Sequence, residues 1–283
     1  MSPLPGPWRL FISDFDGTLK SHLGQVDPED CRIMRAMGKR GIVRAVATGR
    51  SLFSFMRDWP ADLELDYLIY SSGMALCRWT PSGPGEHVFV RSFPPDEQAL
   101  ALAAAWALEE GLLAFLAPPE SHHFYFRPPP PAKNSAGFEA RLKQFRAYAR
   151  PWPEGPLTEP LSQLLFMIRQ PEVPAARQHF QKLAPGLSLT RSASPYADSC
   201  QWLEVFPAGV SKRSAAEVLA ELAGCRAEET AALGNDFNDE ELLAWAGRSF
   251  TVPGAPAELS ARFEELPGPG PILAKVWQAL GLS

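Results

Sequence analysis

The sequence predicts an α/β protein in which a mainly parallel sheet is interrupted by a separate α+β unit. Short apolar runs alternate with helical patterns in the first quarter of the chain, and this rhythm stops after Gly73 and returns at Pro207. Hydrophobic residues make up 46% of the 283 residues and charged residues 21%, which is ordinary for a globular protein with a core of normal size. Alternating strands and helices are typical of a parallel sheet that helices cover on both faces.

The first part of the chain contains three strand-like and two helical segments. The run at residues 9–13 ends in an acidic turn, and a helix opens at Asp27-Pro28 and ends at Gly41, as an acidic cap, an early proline and a terminal glycine predict. We predict the remaining elements as strand 42–47, helix 52–59 and strand 67–70.

The middle of the chain predicts a hairpin, five strands and three helices. They are hairpin strands 74–79 and 86–92 around residues 81–85, helices 95–110, 136–149 and 172–184, and strands 112–117, 122–127, 163–168, 187–191 and 200–206. After Pro207, Ser211 caps a helix, and we expect strand 230–233, helix 242–246 and strand 249–252. Residues 1–78 and 207–283 are therefore predicted to form one domain, into which residues 79–206 are inserted.

Composition excludes several classes of function. The net charge of −5 and the absence of a long basic run argue against nucleic acid as the main partner. We find no signal peptide, and the apolar stretch 100–117 is too short and too charged to span a membrane, so a cytoplasmic location is expected. The four cysteines form no C-x-x-C pair and are expected to be buried free thiols, which predicts neither a zinc site nor a redox motif. The proline clusters at 3–7, 128–131, 151–160 and 267–271 are expected in termini and loops.

The segment Asp14-Phe15-Asp16-Gly17-Thr18-Leu19 follows the first strand. One of its two carboxylates can attack phosphorus while the other handles protons, and a carboxylate nucleophile divides a difficult displacement into two easier steps. The alternative is an acidic turn that only caps a loop. An isolated D-x-D would favour that alternative, whereas this longer motif after an apolar strand favours chemistry.

Two further motifs suit an anion. Thr48-Gly49-Arg50 follows the second strand, where a hydroxyl and a backbone N–H can hold phosphate oxygens, although a capping turn explains the tripeptide equally well. Lys212 stands in the first helical turn, where the helix dipole disfavours a cation. Clustered carboxylates and a phosphate would offset that cost, while the alternative is a solvated lysine.

The segment Gly234-Asn235-Asp236-Phe237-Asn238-Asp239 ends the predicted strand at 230–233. Oxygen-rich side chains at a strand end suit a hard cation such as Mg²⁺, and an Asx-rich turn is the alternative. Open parallel sheets bind ligands at the carboxyl ends of their strands, so the four motifs are expected to converge.

Taken together and in this order, the four motifs resemble the signature set of the haloacid dehalogenase (HAD) superfamily. The specific resemblance is to Cof-type hydrolases, and it covers most of the chain. It implies a Rossmann-like parallel-sheet core with an inserted α+β cap domain between the second and third motifs.

The resemblance also implies site roles. Asp14 is the nucleophile, Asp16 the general acid and base, and Mg²⁺ joins the Asp14 carboxylate and the Asp16 backbone carbonyl to the substrate. Asp239 orients Lys212 or a metal-bound water. The phosphate-binding set comprises Thr48, Gly49, Arg50, Lys212 and Asn238.

The metal motif departs from the Cof pattern Gly-Asp-x-x-Asn-Asp, because Asn235 stands in the first aspartate position and Asp236 follows it. Either Asn235 ligates with an uncharged oxygen, or the turn shifts so that Asp236 ligates. Both residues are therefore candidate metal ligands.

We expect a phosphatase acting on a small phosphorylated metabolite, with a sugar phosphate as the leading substrate class. The alternatives are a phosphotransferase or phosphomutase, and a binding protein with a weakened catalytic site. In the cap, His123, Tyr125 and Arg127 are candidates for reading the substrate, although each is also typical of a solvated or core-edge position. The sequence does not predict an oligomeric state.

Overall fold

Two compact units, each with its own sheet, make up the chain in a computed structural model that describes residues 8–21, 24–133, 136–194, 196 and 199–282. The first unit contains the described residues up to Arg50, Ser54–Phe89 and the described chain from Ser211. The second contains Ser51–Phe53 and Val90–Val210. The proline cluster at residues 3–7 lies outside the described residues. No helix in the described ranges is long and apolar enough to cross a membrane.

The first unit is built on an eight-stranded sheet with the order β14-β13-β12-β1-β2-β3-β4-β5. Five neighbouring pairs, from β14 through β3, run parallel, and β4 runs antiparallel to β3. The strands are β1 (Leu10–Ser13), β2 (Val43–Ala47), β3 (Tyr67–Tyr70), β4 (Ala75–Thr80), β5 (Gly83–Val90), β12 (Thr230–Gly234), β13 (Arg248–Thr251) and β14 (Glu264–Glu265). The central strands β1, β3 and β12 are buried along their whole length, as their continuous apolar runs predicted.

Helices cover this sheet. They are α1 (Pro28–Lys39), α2 (Leu52–Asp58), α6 (Lys212–Leu222), α7 (Glu240–Trp245), α8 (Ala257–Ser260) and α9 (Ile272–Ala279). Apolar side chains of α6 and α7, among them Leu219 and Leu243, pack in one cluster with Leu10 and Ile12 of β1. Helix α1 begins after its predicted cap Asp27, whose side chain accepts a hydrogen bond from the Glu29 N–H, and it packs on β2 and α9.

The second unit has a six-stranded mixed sheet with the order β10-β11-β9-β6-β7-β8. Every neighbouring pair is antiparallel except β7 and β8. The elements are α3 (Pro95–Ala107), β6 (Leu112–Leu116), β7 (Phe124–Arg127), α4 (Ala136–Gln144), β8 (Ala149–Pro151), β9 (Leu161–Arg169), α5 (Val173–Leu183), β10 (Ser188–Ala193) and β11 (Cys200–Phe206). Apolar residues of α3 and α5 pack with β6, β9 and β11 in one core cluster.

The structure confirms the predicted fold class and corrects several boundaries. Helix α4 ends at Gln144 rather than 149, because a turn at Phe145–Tyr148 leads into strand β8, which the sequence analysis missed. Helix α3 ends before Glu109, whose φ of 56° is incompatible with helix. The hairpin turn is shorter than predicted, since β5 begins at Gly83. No element is predicted from the sequence after residue 252, because frequent prolines there interrupt the helical and strand patterns, but the structure contains α8, β14 and α9. All four cysteines are buried free thiols, as expected.

A buried carboxylate fastens the missed C-terminal helix to the rest of the unit. Asp30 of α1 is 2% exposed, and it accepts hydrogen bonds from the N–H groups of Leu273 (2.8 Å) and Ile272 (3.3 Å) at the start of α9. These N–H groups have no acceptor within α9, so Asp30 acts as a cap supplied from another helix. Burial raises the pKa of Asp30 to about 6 in spite of these two bonds.

Two substitutions of Asp30 separate the stabilisation that its hydrogen-bond acceptors provide from the destabilisation that its buried charge causes. Asp30→Ala leaves two buried N–H groups without their acceptor, and we expect the free energy of unfolding to fall by about 1–3 kcal/mol. Asp30→Asn removes the charge and keeps an acceptor for one of the two N–H groups, so it should cost less than Asp30→Ala at pH 8. Urea unfolding of both variants measures the difference, and equal losses would show that the one retained acceptor does not stabilise this contact.

Candidate active site

Three neighbouring strands of the first sheet end together and carry three of the four predicted motifs. In the central part of the sheet, Ser13 of β1 lies opposite Leu233 of β12 and Val46 of β2. The N–H of Asp14 donates to the carbonyl of Leu233 at 2.9 Å, which continues the β1–β12 pairing one residue beyond the strand. Parallel pairing therefore brings the residues that follow β1, β2 and β12 to one edge of the sheet, as the sequence predicted.

Lys212 lies between two carboxylates from different parts of the chain. Its Nζ donates to Oδ1 of Asp14 at 2.7 Å and to Oδ1 of Asp239 at 2.6 Å, and the lysine is only 1% exposed. It is the first residue of α6, whose cap Ser211 accepts a hydrogen bond from the Ser214 N–H. The two carboxylates offset the unfavourable position of a cation at a helix N-terminus.

Burial and charge act in opposite directions on this cluster. Removal from water raises the pKa of Asp14 to about 7, because the charge of Lys212 only partly opposes the cost of burying the carboxylate and Asp239 adds a like charge. Burial by itself would lower the pKa of Lys212, but the two carboxylates more than compensate and raise it. Lys212 is therefore a permanent cation, and it holds Asp14 in a site where a lone carboxylate would be protonated at neutral pH.

Asp239 also holds the turn of the fourth motif. Its Oδ2 accepts hydrogen bonds from the backbone N–H groups of Asn235 (3.0 Å) and Asp236 (3.2 Å), while Oδ1 binds Lys212. Gly234 permits this packing, since a Cβ there would lie 2.5 Å from Cβ of Asp239. Asp239 is fully buried and connects the lysine with the turn, so both of its oxygens already have partners.

The other polar residues of this turn differ in what they contact. Oδ1 of Asp236 accepts a hydrogen bond from the Phe237 N–H at 2.8 Å and caps the short 3-10 helix at Phe237–Asp239. The side chain of Asn235 makes no hydrogen bond with any residue that the structure describes. Oδ1 of Asn238 is buried without a partner among the same residues. The side-chain amides of Asn235 and Asn238, rather than the carboxylate of Asp236, are therefore available to a ligand.

The structure places the carboxylates of Asp14 and Asp16 in different environments. Both oxygens of Asp16 accept hydrogen bonds from the guanidinium of Arg50, at 2.6 Å each, and the Asp16 side chain is 47% exposed. The Arg50 guanidinium also donates to Asp58 Oδ2 at 2.6 Å, and that oxygen accepts a further hydrogen bond from Lys20 at 2.5 Å. Although burial opposes it, the hydrogen bonds from Lys20 and Arg50 hold the pKa of Asp58 at about 2. The expected phosphate ligand Arg50 thus directs its donors at two carboxylates.

A turn after β3 lies against the second motif, and sequence reasoning gave it no role in the site. Ser71 and Ser72 are both buried and have φ values of 49° and 56°, which non-glycine residues seldom adopt. The Ser72 N–H donates to the carbonyl of Thr48 at 3.0 Å. A Cβ on Gly49 would lie 3.4 Å from Oγ of Ser72 and 3.9 Å from Nδ2 of Asn238. Two hydroxyl residues at a parallel strand end were the available signal for this turn.

The remaining predicted residues are placed as follows. The hydroxyl of Thr48, which is 1% exposed, accepts a hydrogen bond from the Arg50 N–H at 3.1 Å. In the second unit, the Arg127 guanidinium donates to the carbonyls of Ala105, Trp106 and Glu110, and it therefore caps the end of α3. The Tyr125 hydroxyl donates to Glu159 at 2.7 Å. His123 lies beside Glu120 and His122. Each of these three candidates therefore has a partner within the second unit.

The fold and the site define a hydrolase-type α/β protein with a carboxylate and lysine cluster at the edge of its parallel sheet. Residues 11–265 match the family described as haloacid dehalogenase-like hydrolase. An HMP-PP phosphatase from Serratia proteamaculans is 25% identical over 272 residues, which cover 92% of this chain and 89% of that protein. An HMP-PP phosphatase from an Enterobacter species is 27% identical over 261 residues, with the same two coverages.

Solved structures share the whole fold. A phosphatase of the haloalkanoate enzyme superfamily from Bacteroides thetaiotaomicron superposes with a TM-score of 0.76 at 18% identity, covering 100% of this chain and 99% of that one. A subclass IIB sugar phosphatase of the superfamily superposes with a TM-score of 0.72 at 18% identity, covering 97% and 100%. The chain belongs to the haloacid dehalogenase-like hydrolase family, and it is a Cof-type phosphatase with a parallel core sheet and a separate cap sheet.

We predict that the buried Lys212 contributes strongly to the free energy of unfolding. Lys212→Met leaves Asp14 and Asp239 buried without their counter-charge, and removing one partner of such a cluster typically costs about 3–5 kcal/mol. The matched control is its neighbour Arg213, which is exposed and pairs with Glu217 one helical turn along. Arg213→Met should cost about 0.5 kcal/mol or less. Urea unfolding of both variants compares them, and similar losses would mean that the Lys212 cluster contributes little to folding.

Proposed function

We propose that the protein is a Mg²⁺-dependent phosphatase that forms an aspartyl-phosphate on Asp14. One observation carries the proposal. Oδ1 of Asp14 is held by Lys212, whereas Oδ2 is buried with no hydrogen-bond partner among the residues that the structure describes. A buried polar atom normally has a partner, so an unpartnered carboxylate oxygen marks a position that a reacting group or an ion can take.

The reaction proceeds in two displacements. Oδ2 of Asp14 attacks phosphorus while the bond between phosphorus and the leaving oxygen breaks, and protonated Asp16 gives its proton to that oxygen. A water molecule then attacks the phosphorus of the aspartyl-phosphate, Asp16 takes its proton, and the bond from phosphorus to Asp14 breaks to release phosphate. General acid–base catalysis of this kind typically contributes about 10²–10⁴-fold. The partial exposure of Asp16 suits a group that must exchange protons with water.

The phosphoryl group is bound by donors around the same strand ends. We assign this role to Thr48, Gly49, Lys212 and Asn238, because the Thr48 hydroxyl is buried beside β2 and the Asn238 amide approaches Gly49. Arg50 receives a different role from the one the sequence suggested. Its two hydrogen bonds to Asp16 orient the proton-transferring carboxylate, and Asp58 holds the guanidinium in place.

The residues present fit a magnesium ion. Oδ1 of Asp14 keeps a second lone pair beside its hydrogen bond from Lys212, so it and the side-chain oxygen of Asn235 are suitable hard ligands, while Oδ2 is left to attack phosphorus. The Asp16 backbone carbonyl completes the set that the family resemblance implies. Bound Mg²⁺ would neutralise charge on the phosphoryl oxygens. Asp236 fits less well, since its carboxylate already caps the 3-10 helix. We therefore choose Asn235 over Asp236 as the ligand.

The substrate class is a small phosphorylated metabolite. We assign the chemistry to residues 1–78 and 207–283 and substrate selection to the cap at 79–206, because every motif residue lies outside the cap. A sugar phosphate is the leading candidate. The full-length similarity to two HMP-PP phosphatases makes HMP-PP the second candidate.

The proposed function predicts that Asp14→Asn abolishes turnover without unfolding the protein, because an amide is nearly isosteric but cannot attack phosphorus. Phosphate release with Mg²⁺ should be measured on p-nitrophenyl phosphate, sugar phosphates and HMP-PP, with circular dichroism as the folding control. Wild-type protein should release phosphate from all activated esters and favour one metabolite class. Turnover by folded Asp14→Asn would remove Asp14 from the nucleophile role.

Two other outcomes of this assay identify the alternative functions. Transfer of phosphate to an added alcohol or a second sugar, with little free phosphate, would indicate a phosphotransferase or phosphomutase. Binding of a phosphorylated metabolite without release of phosphate from any ester would indicate a binding protein.

The turn at residues 234–239, which carries the proposed metal ligand Asn235, provides a second prediction. Asn235→Asp adds a negative charge at the proposed ligand, so the Mg²⁺ concentration for half-maximal activity should fall. Asp236→Ala should leave that concentration unchanged, while the loss of a helix cap lowers the free energy of unfolding by about 1 kcal/mol. Titrating activity against Mg²⁺ tests both. A large rise for Asp236→Ala together with no effect of Asn235→Asp would assign the ligand to Asp236, and no change in either variant would exclude this turn from metal binding.

A further inference from the structure

A second group of potential metal ligands lies far from the catalytic motifs in the chain, in the turn that precedes β7. Glu120, His122 and His123 bring one carboxylate oxygen and two imidazole nitrogens within 4.8 Å of one another. Oε2 of Glu120 lies 3.8 Å from Nε2 of His122 and 3.6 Å from Nε2 of His123. The cysteine spacing predicts no zinc site, and His123 is predicted from the sequence only as a candidate substrate contact.

The backbone of this turn fixes the relative positions of the three side chains. The N–H of His123 donates to the carbonyl of Glu120 at 2.9 Å, and the N–H of Leu116 at the end of β6 donates to the carbonyl of His123 at 3.0 Å. The ring of Tyr148 packs edge-on against both imidazoles, with centroid distances of 5.1 Å to His122 and 5.4 Å to His123. The ligand atoms are thus held by a closed turn and an aromatic neighbour, so little ordering is left for ion binding.

The spacing of these ligand atoms suits a cation. Ligand atoms about 2.0–2.2 Å from a tetrahedral Zn²⁺ lie roughly 3.3–3.6 Å apart. The two distances from Glu120, 3.8 and 3.6 Å, need only a small contraction, and side-chain rotation has to bring the two imidazole nitrogens, which lie within 4.8 Å of each other, to the same separation. Nδ1 of His122 is buried, which leaves Nε2 as the nitrogen that faces Glu120.

The donor set also selects the type of ion. Two imidazoles and one carboxylate suit Zn²⁺ and other borderline transition metals, whereas Mg²⁺ prefers an all-oxygen set. Three protein ligands leave a fourth position for water or for an anionic oxygen. We propose that Glu120, His122 and His123 form a binding site for a divalent transition metal of the Zn²⁺ type, separate from the Mg²⁺ site of the hydrolytic reaction.

The test uses the full-length protein without a histidine tag and with excess Mg²⁺ to occupy the catalytic site. After incubation with Zn²⁺ and gel filtration, bound zinc is measured by mass spectrometry, and the change in melting temperature on adding Zn²⁺ is recorded. The site variants are His122→Gln, His123→Gln and Glu120→Gln. The control is His179→Gln, which removes a histidine of α5 whose ring contacts the Ala104 carbonyl at 2.8 Å.

We expect one equivalent of zinc and a rise in melting temperature for the wild type and for His179→Gln. His122→Gln and His123→Gln should lose both effects, and Glu120→Gln should weaken them. Because Glu120 and His123 are more exposed than His122, their variants keep the test informative even when His122→Gln folds poorly. Equal zinc in all four variants, or no zinc retained by the wild type in excess Mg²⁺, would overturn the proposal. Both readouts are independent of phosphatase activity, so the outcome does not depend on the proposed function.

Discussion

The end of the parallel sheet where the motifs meet depends on one buried cation. Lys212 binds Asp14 after β1 and Asp239 beyond β12, and it joins segments that are 198 and 27 residues away along the chain. None of the three groups is stable in this environment by itself, because isolated charges are strongly disfavoured where water is excluded. The cluster therefore makes the position of each motif conditional on the other two.

The backbone around the cluster is shaped so that these charges can meet. Gly234 leaves room for the Asp239 side chain to pack beneath the turn that follows β12. Gly73 leaves room for the backbone of Ser211, where the turn after β3 meets the start of α6. A Cβ on Gly73 would lie 2.1 Å from the Ser211 carbonyl oxygen. Asp239 also accepts hydrogen bonds from the N–H groups of Asn235 and Asp236 in the turn that follows β12. A substitution at Gly234 would displace the Asp239 side chain that binds Lys212, and one at Gly73 would displace the backbone at Ser211 next to Lys212.

The two carboxylates of the first motif show how a separation of two residues can produce different chemistry. Asp14 is buried beside a lysine, with one oxygen unpartnered among the residues that the structure describes, whereas Asp16 is partly exposed and bound by Arg50 through both oxygens. Environments that differ in burial and in charged partners separate the roles of paired acids. The arrangement supports the proposal of a nucleophile at Asp14 and a proton carrier at Asp16. The partner that distinguishes the two environments is Arg50, which binds both oxygens of Asp16.

Sequence alone determined the fold class and the meeting of the motifs, because apolar runs identify buried parallel strands and the ends of such strands share one edge. It also predicted buried cysteines and the helix caps Asp27 and Ser211. Only tertiary structure decided what the arginines contact: Arg50 binds Asp16 and Asp58, and Arg127 caps α3. Asp236 caps a 3-10 helix through the N–H of its neighbour Phe237, a local contact of the kind that an Asx-rich turn makes. Helix α9 was not predicted from the sequence, and in the structure its first N–H groups are capped by Asp30. The physical reason is that strand and helix patterns are local, whereas a charged side chain chooses its partner among residues that folding brings together.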